Sequence, residues 1–198
     1  MERARQGEGS VVLVEAPAGG GKSALLAAAR ARARDGGARV LAARGARLER
    51  EFAFGVARQL FEPALAPLPE AERAALLAGA AGLAGRLLDP VDDPGPAGAG
   101  AFGVLHALYW LTVNLADRGP LLLSVDDAHW ADRSSVDVLA YLSRRLAHLP
   151  VLVVLAARPG DPEDAAAWTE LAHEPATVVV RPRPLSEPAV AAIVRARL

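Results

Sequence analysis

Apolar residues along the chain fall into two patterns: short continuous runs, and longer stretches with helical spacing. The continuous runs have the length of strands and are bounded by glycine, proline or aspartate, so they predict strands. The predicted strands are residues 11–15, 39–43, 121–125, 151–157 and 177–180. Because the strongest runs are apolar throughout, we expect helices to cover both faces of their sheet.

Helices are predicted between the strands, where alanine, leucine and arginine are frequent and glycine or proline ends most segments. They cover residues 22–35, 54–61, 70–88, 102–116, 134–147, 165–172 and 186–198. Prolines within 63–69 predict a break, Asp132 or Ser134 a helix cap, and the Pro- and Gly-rich segment 89–100 a loop. Strands alternating with helices predict an α/β fold, a three-layer α/β/α sandwich with a mainly parallel five-stranded sheet.

Composition excludes several classes of function. The net charge of −1 gives no overall attraction to nucleic acid or an acidic membrane, so we expect no direct nucleic-acid binding. The absence of cysteine excludes disulfides, cysteine zinc sites and thiol catalysis. Apolar runs such as 151–157 are far shorter than the roughly 20 residues of a membrane helix, and the charged N-terminus lacks a secretion signal. We therefore expect a cytoplasmic protein without a membrane partner.

One lysine, Lys22, stands among 21 arginines. Arginine cannot replace lysine where a compact point charge on a slim stem must fit. A random placement of the single lysine inside a glycine run is improbable, so we interpret Lys22 as functionally constrained.

The loop around this lysine has the composition of a phosphate-binding loop. Residues 16–23 (APAGGGKS) follow the P-loop pattern G-x-x-x-x-G-K-[ST], except that Ala16 replaces the first glycine and tolerates a positive φ less well. Glycines let backbone N–H groups turn toward phosphate oxygens, and the following helix adds the positive end of its dipole. Lys22 would reach the β- and γ-phosphates of ATP, and the Ser23 hydroxyl would ligate Mg²⁺. The predicted nucleotide-binding residues are Ala18, Gly19, Gly20, Gly21, Lys22, Ser23 and Ala24.

The alternative for this loop is a glycine-rich turn that opens an ordinary helix. The order strand, loop, helix is the context that the phosphate hypothesis requires, and the sequence has it.

Two acidic residues end the apolar strand at 121–125 and predict a Walker B site. Because ligands bind outside the carboxyl ends of strands in α/β sheets, we expect Asp126 beside the loop after the first strand, across adjacent strand tips. Asp126 is the predicted Mg²⁺ ligand. Asp127 is the candidate for orienting or deprotonating the attacking water. The alternative is a pair of aspartates that only form a turn or cap a helix.

Each of the other polar residues near the predicted site has both a functional and a purely structural interpretation. Arg158 ends the strand 151–157, where it could point at the γ-phosphate, or it is a solvated loop charge. His129 and Trp130 could line the site, although an aromatic residue packed under a loop is the commoner arrangement. The remaining histidines and the arginine-rich helix faces are interpreted as ordinary packed or solvated groups.

With these motifs placed, the chain resembles the N-terminal ATPase domain of large ATP-binding LuxR-type transcriptional regulators, the MalT-like STAND ATPases related to AAA ATPases. The resemblance rests on residues 11–26, 43–63, 105–146, 151–161 and 184–198, and DDAHWAD at 126–132 is its most specific part. It implies a P-loop NTPase fold and an ATP-driven switch that acts with a C-terminal DNA-binding region. It also implies that Lys22 and Ser23 bind Mg·ATP, that Asp126 and Asp127 form the Walker B pair, and that Arg158 is a sensor arginine.

The chain departs from that family in several places. Gly20 stands where a bulkier residue is common, and only ten residues precede the first strand, where family members have a segment that helps hold the nucleotide. We assign residues 1–182 to the ATPase domain and 183–198 to the start of a helical lid domain. Further C-terminal domains of the same regulator are the expected partners, and we expect a fragment or a truncated product.

Three hypotheses on function remain open. The first is a signalling ATPase module that hydrolyses ATP slowly. The second is a small-molecule kinase on the same core, against which the Arg-free segment 89–100 argues because it lacks the charge of a phosphate-covering lid. The third is an interaction module that nucleotide only stabilises.

Overall fold

A five-stranded parallel sheet forms the centre of the computed structural model, which describes residues 1–89, 100–159 and 165–197. The strands are β1 (Ser10–Glu15), β2 (Arg39–Arg44), β3 (Leu121–Asp126), β4 (Val151–Ala157) and β5 (Thr177–Val180). Their order across the sheet is β2-β3-β4-β1-β5, and all four pairings are parallel. The predicted α/β class with a five-stranded parallel sheet is confirmed.

Helices connect the strands and lie on both faces of the sheet. They are α1 (Glu2–Arg5), α2 (Lys22–Asp35), α3 (Gly55–Leu65), α4 (Glu70–Leu76), α5 (Gly82–Leu88), α6 (Ala101–Ala116), α7 (Arg133–Ser143), α8 (Ala165–His173) and α9 (Glu187–Arg197). Short 3₁₀ turns occur at Arg47–Glu49, Gly79–Ala81 and Ala128–Trp130.

The two faces of the sheet are buried under different helices. Successive strand residues point to opposite faces, so Leu122 and Val154 pack under α2 with Leu26, whereas Leu123 and Val153 pack in the larger core on the other face. That larger core contains residues of α3, α5, α6 and α7. Strands β3 and β4 are buried at every position, as their uninterrupted apolar sequences predict.

Three predicted helix boundaries are wrong. Helix α3 continues through Pro63 to Leu65, because burial of Leu65 in the core favours the helix despite the missing N–H of proline. The single helix predicted over 70–88 is divided into α4, a 3₁₀ turn and α5, with Gly79 at a φ of 61° in the division. The helix predicted over 134–147 ends at Ser143.

The remaining predictions concern the proline-rich segment and the helix near the end of the chain. Of the predicted loop 89–100, residues 90–99 lie outside the described residues. The expected helix near the end of the chain is present as α9, and its assignment to a lid domain stays a prediction. In the part of the chain that the structure describes, no helix combines the length and apolar character needed to cross a membrane.

Candidate functional site

The strand that carries the two aspartates is not the neighbour of β1. Strand β4 lies between β1 and β3, so the prediction of adjacent strand tips is wrong. The neighbours of β1 in the sheet are the last two strands of the chain, β4 and β5. The order of strands along the chain does not determine their order in the sheet. With strands about 4.8 Å apart, the backbones of β1 and β3 are separated by roughly 10 Å.

Helix α2 bridges this separation on one face of the sheet. Strand alternation puts Asp126 on the same face as Leu122, which packs against α2. Helix α2 starts directly after the glycine loop of β1 and packs across β2, β3 and β4. Asp126 therefore ends its strand on the face whose helix begins with Lys22 and Ser23.

The loop between β1 and α2 has the backbone that phosphate binding requires. Gly19 and Gly21 have φ angles of 76° and 81°, in the left-handed region that glycine adopts without strain. The first hydrogen bond along α2 runs from the Leu25 N–H to the Gly21 carbonyl, and no side chain caps the helix. The N–H groups of Lys22, Ser23 and Ala24 thus precede the intrahelical bonds at the positive end of α2, where an anion is stabilised.

Lys22 lies across this loop. Its side chain is buried, and its ammonium donates hydrogen bonds to the carbonyl oxygens of Ala16 at 2.6 Å and Pro17 at 2.9 Å. An ammonium has three donors, so one remains for a further acceptor. The side chain both fixes the loop and brings a positive charge to it.

Ala16 and Gly20, the two departures from the family pattern, lie against each other. A Cβ added at Gly20 would lie 2.7 Å from the Cβ of Ala16, which is closer than two non-bonded carbon atoms approach in proteins. Ala16 does not have a positive φ, so its methyl group causes no backbone strain. The methyl group of Ala16 thus fills the space where a side chain at position 20 would begin.

The two aspartates at the end of β3 have different surroundings. Asp126 is buried, and its Oδ1 accepts a hydrogen bond from the Asp127 N–H at 2.9 Å. Asp127 is partly exposed and has a left-handed backbone, with φ of 46° and ψ of 40°. Aspartate tolerates this conformation better than most residues, and such strain is concentrated at functional sites.

Arg44, at the end of β2, is an ion-pair partner of Asp127 that the sequence analysis missed. Its Nη2 and Nε atoms donate to Asp127 Oδ2 at 2.8 and 3.0 Å. The hydrogen bond to Asp127, followed by the charges of Asp127 and Asp126, raises the pKa of Arg44 above its ordinary value. In the structure, Arg44 is in register with Asp126 across β2 and β3. That register is the only signal for the pair, and it can be used only once the two strands are known to be neighbours.

Asp132, the predicted helix cap, joins two helices. Its Oδ1 accepts from Ser135 N–H at 2.8 Å in α7 and from Phe54 N–H at 2.7 Å, and its Oδ2 accepts from Val56 N–H at 3.2 Å in α3. The buried Ser135 hydroxyl also accepts the Ala57 N–H at 3.0 Å. The start of α3, which follows β2, is therefore fixed to the segment that follows the two aspartates.

The remaining candidates lie around this edge. Arg158 is exposed directly after β4 and forms no hydrogen bond or ion pair with Asp126 or Asp127. His129 is buried against the half-exposed Trp130, with 5.0 Å between their ring centroids. The guanidinium groups of Arg47 and Arg50 lie 5.7 and 5.9 Å from the Trp130 ring centroid.

Away from this edge, His106 belongs to an aromatic cluster. Its Nε2 accepts from Trp110 Nε1 at 2.9 Å, and its Nδ1 lies 3.1 Å from the hydroxyl of Tyr141. It is a packed residue, as the sequence indicates.

Comparisons with known proteins place these observations in a family. The AAA ATPase domain family model matches residues 1–154. An uncharacterized protein of Rhizobium meliloti (strain 1021) is 31% identical over an alignment of 205 positions, gaps included, which covers 89% of this chain and 18% of that protein. The chain thus spans less than a fifth of the length of this relative.

The chain is also similar to solved structures. Cdc6p from Pyrobaculum aerophilum superposes with a TM-score of 0.56 at 16% identity, over 99% of this chain and 45% of that one. The Orc1 protein of Aeropyrum pernix, solved in complex with DNA, gives a TM-score of 0.49 at 18% identity, over 98% and 45%. The similarity to Cdc6p confirms the predicted P-loop NTPase fold. The bound DNA belongs to the Orc1 structure. The resemblance to LuxR-type regulators and the expected absence of nucleic-acid binding stay predictions.

Proposed function

The chain belongs to the AAA ATPase domain family, and from that premise we propose that it binds Mg·ATP at the carboxyl edge of β1 and β3 and hydrolyses it slowly as a switch. The observation that carries the proposal is the common location of the α2 N-terminus and Asp126 on one face of the sheet. A phosphate cradle and a buried carboxylate there form the two halves of a magnesium–triphosphate site.

The residues present fit magnesium as well as phosphate. Magnesium is usually held by one or two carboxylates together with substrate phosphates and water, and it does not need a cage of protein ligands. No cluster of three or more histidine, cysteine or acidic side chains suited to a metal occurs among the described residues. Ser23 and Asp126 are the proposed ligands. Bound there, Mg²⁺ would offset the charge that develops on the phosphate oxygens.

The phosphate-binding residues have distinct proposed roles. The N–H groups of Gly19 and of Gly21 to Ala24 hold phosphate oxygens, whereas that of Gly20 donates to the Pro17 carbonyl at 3.1 Å within the loop. Lys22 presents its third donor to the β- and γ-phosphates. Because Lys22 already bonds two loop carbonyls, it links the shape of the loop to the ligand. Ala18 and Gly20 complete the loop and contribute through the backbone.

Asp127 is the proposed group that orients and deprotonates the attacking water. Its Oδ2 is bonded to Arg44, which leaves Oδ1 for the water. Arg158, exposed at the end of β4, is the proposed sensor of the γ-phosphate. As a switch, the domain would work with the C-terminal domains of a LuxR-type regulator, a context that only the family resemblance supports.

The experiment is calorimetric titration of Mg·ATP into the wild-type chain and Lys22→Ala. We expect the variant to lose affinity by about a hundredfold, because it loses one charge-assisted bond to the phosphates and the two bonds that hold the loop in shape, together roughly 3 kcal/mol. Arg32→Ala, an exposed change on the same helix, is the matched control and should bind as wild type. Unchanged affinity in Lys22→Ala would disprove the phosphate assignment.

The other two hypotheses are separated by turnover. Release of inorganic phosphate without a phosphorylated acceptor excludes a small-molecule kinase. Turnover that disappears in Asp127→Asn while ATP binding persists excludes a module that nucleotide only stabilises.

A further inference from the structure

Strand β2 is an edge strand with free main-chain groups. N–H groups along a strand point alternately to the two sides, and the Arg39 N–H donates to the Pro120 carbonyl on the β3 side. The N–H groups of Val40 and Ala42 consequently point away from the sheet. Among the described residues, none outside the sheet ladder accepts a hydrogen bond from either of them. The next outward N–H, that of Arg44, is bonded to Gln59 Oε1 at 3.0 Å.

An apolar groove runs beside this free edge. It has a volume of about 310 Å³ and lies between β2 and helix α3 with the turn that follows it. Its apolar lining on the helix side is Leu60, Pro63, Ala64, Pro67 and Leu68. The groove can therefore receive side chains of a segment that pairs with the edge.

The groove joins a cationic cleft at the amino end of β2. The cleft has a volume of about 380 Å³, and Arg39 lines both cavities. Arg34 and Arg118 also line the cleft, and no acidic side chain does. Arg118 forms an ion pair with Glu72, with 3.4 Å between Nη1 and Oε2. Arg34 and Arg39 form no ion pair with a described residue. A positive charge without an internal counterion thus lies at one end of the groove.

We propose that the edge of β2, the apolar groove and the arginine cleft together form a docking surface for an extended peptide segment with apolar residues and an acidic end. Main-chain pairing with an exposed edge supplies affinity in β-strand addition, and pockets for alternate side chains supply specificity. Guanidinium groups bind carboxylates in paired geometry, so the acidic end lies at Arg39.

The charges favour such a peptide over a second copy of this chain. Antiparallel pairing of two β2 edges would bring Arg39 of one chain close to the end of β2 where the other chain carries Arg44. Like charges placed opposite each other destabilise a strand pair. An acidic peptide meets the same arginines with opposite charge.

The test uses a fluorescein-labelled peptide in which eight alternating valine and threonine residues are followed by four glutamates, with the reversed sequence as a second probe. The two probes cover antiparallel and parallel pairing. We expect saturable binding of one of them to the 198-residue chain. Ala42→Pro, which removes an outward N–H but no ladder bond, should weaken binding at least about tenfold, and so should Arg39→Glu.

Matched controls separate docking from general effects. Arg32→Glu changes an exposed charge on α2 that does not line the cleft, so this variant should bind as wild type. Pro67→Glu is a second variant in the groove, at an exposed position where folding is not at risk. Amide hydrogen exchange should slow at Val40 and Ala42 when peptide is bound and stay unchanged at Leu41.

Three outcomes would overturn the proposal: no binding of either probe, equal binding by Ala42→Pro and Pro67→Glu, or equal binding of a tetraglutamate peptide without the apolar segment. The last result would indicate a simple anion site. None of these measurements involves nucleotide, so their failure is independent of the proposed ATP site.

Discussion

Ala16 and Gly20 show how two unusual residues can be explained together. Each departs from the family pattern when it is considered alone. In the structure the methyl group of Ala16 fills the space next to Gly20. A Cβ built at Gly20 would lie 2.7 Å from the Cβ of Ala16. We therefore expect the two residues to be coupled, because a side chain at position 20 would collide with the methyl group at position 16.

We predict that a double-mutant cycle at positions 16 and 20 shows compensation, in which the second substitution restores affinity lost by the first. Gly20→Ala should lower Mg·ATP affinity several-fold, because the loop must shift to relieve the contact, whereas Ala16→Gly alone should have little effect. The double variant should recover most of the loss, with a coupling free energy of about 1 kcal/mol. The Pro17 carbonyl, 3.1 Å from the added Cβ, sets a limit to full recovery. Additive effects in calorimetry would contradict the coupling.

Arg44 holds the carboxylate of Asp127, the proposed group that orients the attacking water. The guanidinium donates two hydrogen bonds to the same carboxylate oxygen, Oδ2, and so occupies both acceptor sites of that oxygen. The guanidinium is largely exposed, so solvent screens the pair and it can open at little cost.

We predict that Arg44→Ala raises kcat for ATP hydrolysis about twofold, since both carboxylate oxygens of Asp127 can then accept from the attacking water. The dissociation constant for Mg·ATP should change little. Arg47→Ala, an exposed arginine of the neighbouring turn that contacts Trp130, serves as the control. A fall in kcat would show that Arg44 holds Asp127 in its working position and would refute this account.

At the scale of elements, a buried carboxylate fixes the start of two helices. Asp132 accepts N–H groups from both α3 and α7, so it does more than the single cap that the sequence predicts. Helix α3 follows β2 and helix α7 follows β3. The contact therefore holds together the connection that follows Arg44 at the end of β2 and the connection after β3, which begins with Asp127.

We predict that Asp132→Ala lowers the free energy of unfolding by about 3 kcal/mol or more, because three buried N–H donors lose their acceptor. Urea denaturation measures this loss. Asp137→Ala removes an exposed carboxylate from the same helix, where it pairs with Arg133, and should cost no more than about 0.5 kcal/mol. A loss below about 1 kcal/mol for Asp132→Ala would show that water replaces the carboxylate.

At the scale of the whole molecule, the proposed ligand connects segments that are far apart in the chain. The glycine loop and the aspartates are separated by about a hundred residues and by the intervening strand β4. A ligand held by both halves binds only the folded chain and therefore stabilises it.

We predict a rise in Tm of roughly 5 to 10 °C with Mg·ATP at a hundred times its Kd, equivalent to about 2.7 kcal/mol. Removal of magnesium with EDTA should abolish most of the rise, and Lys22→Ala should show none. Identical melting curves with and without Mg·ATP at that concentration would argue against a ligand that spans the two halves.

The sequence by itself determined the elements and the chemistry of single segments. Continuous apolar runs specify buried strands because both sheet faces must be covered, and the observed strands agree with those predicted to within one residue at each end. The glycine loop with its lysine, and the aspartates after β3, were recognisable because each is a local motif. Helix ends were less predictable, since burial of Leu65 decides whether α3 continues past Pro63.

Tertiary structure alone decided which segments meet. Strand order placed β4 between β1 and β3, put Arg44 beside Asp127, and exposed the edge of β2. It also brought Asp132 to α3 and set Ala16 against Gly20. The physical reason is that motifs and periodicity record interactions between near neighbours in the chain. Strand order and side-chain contacts depend on packing between residues that are distant in sequence.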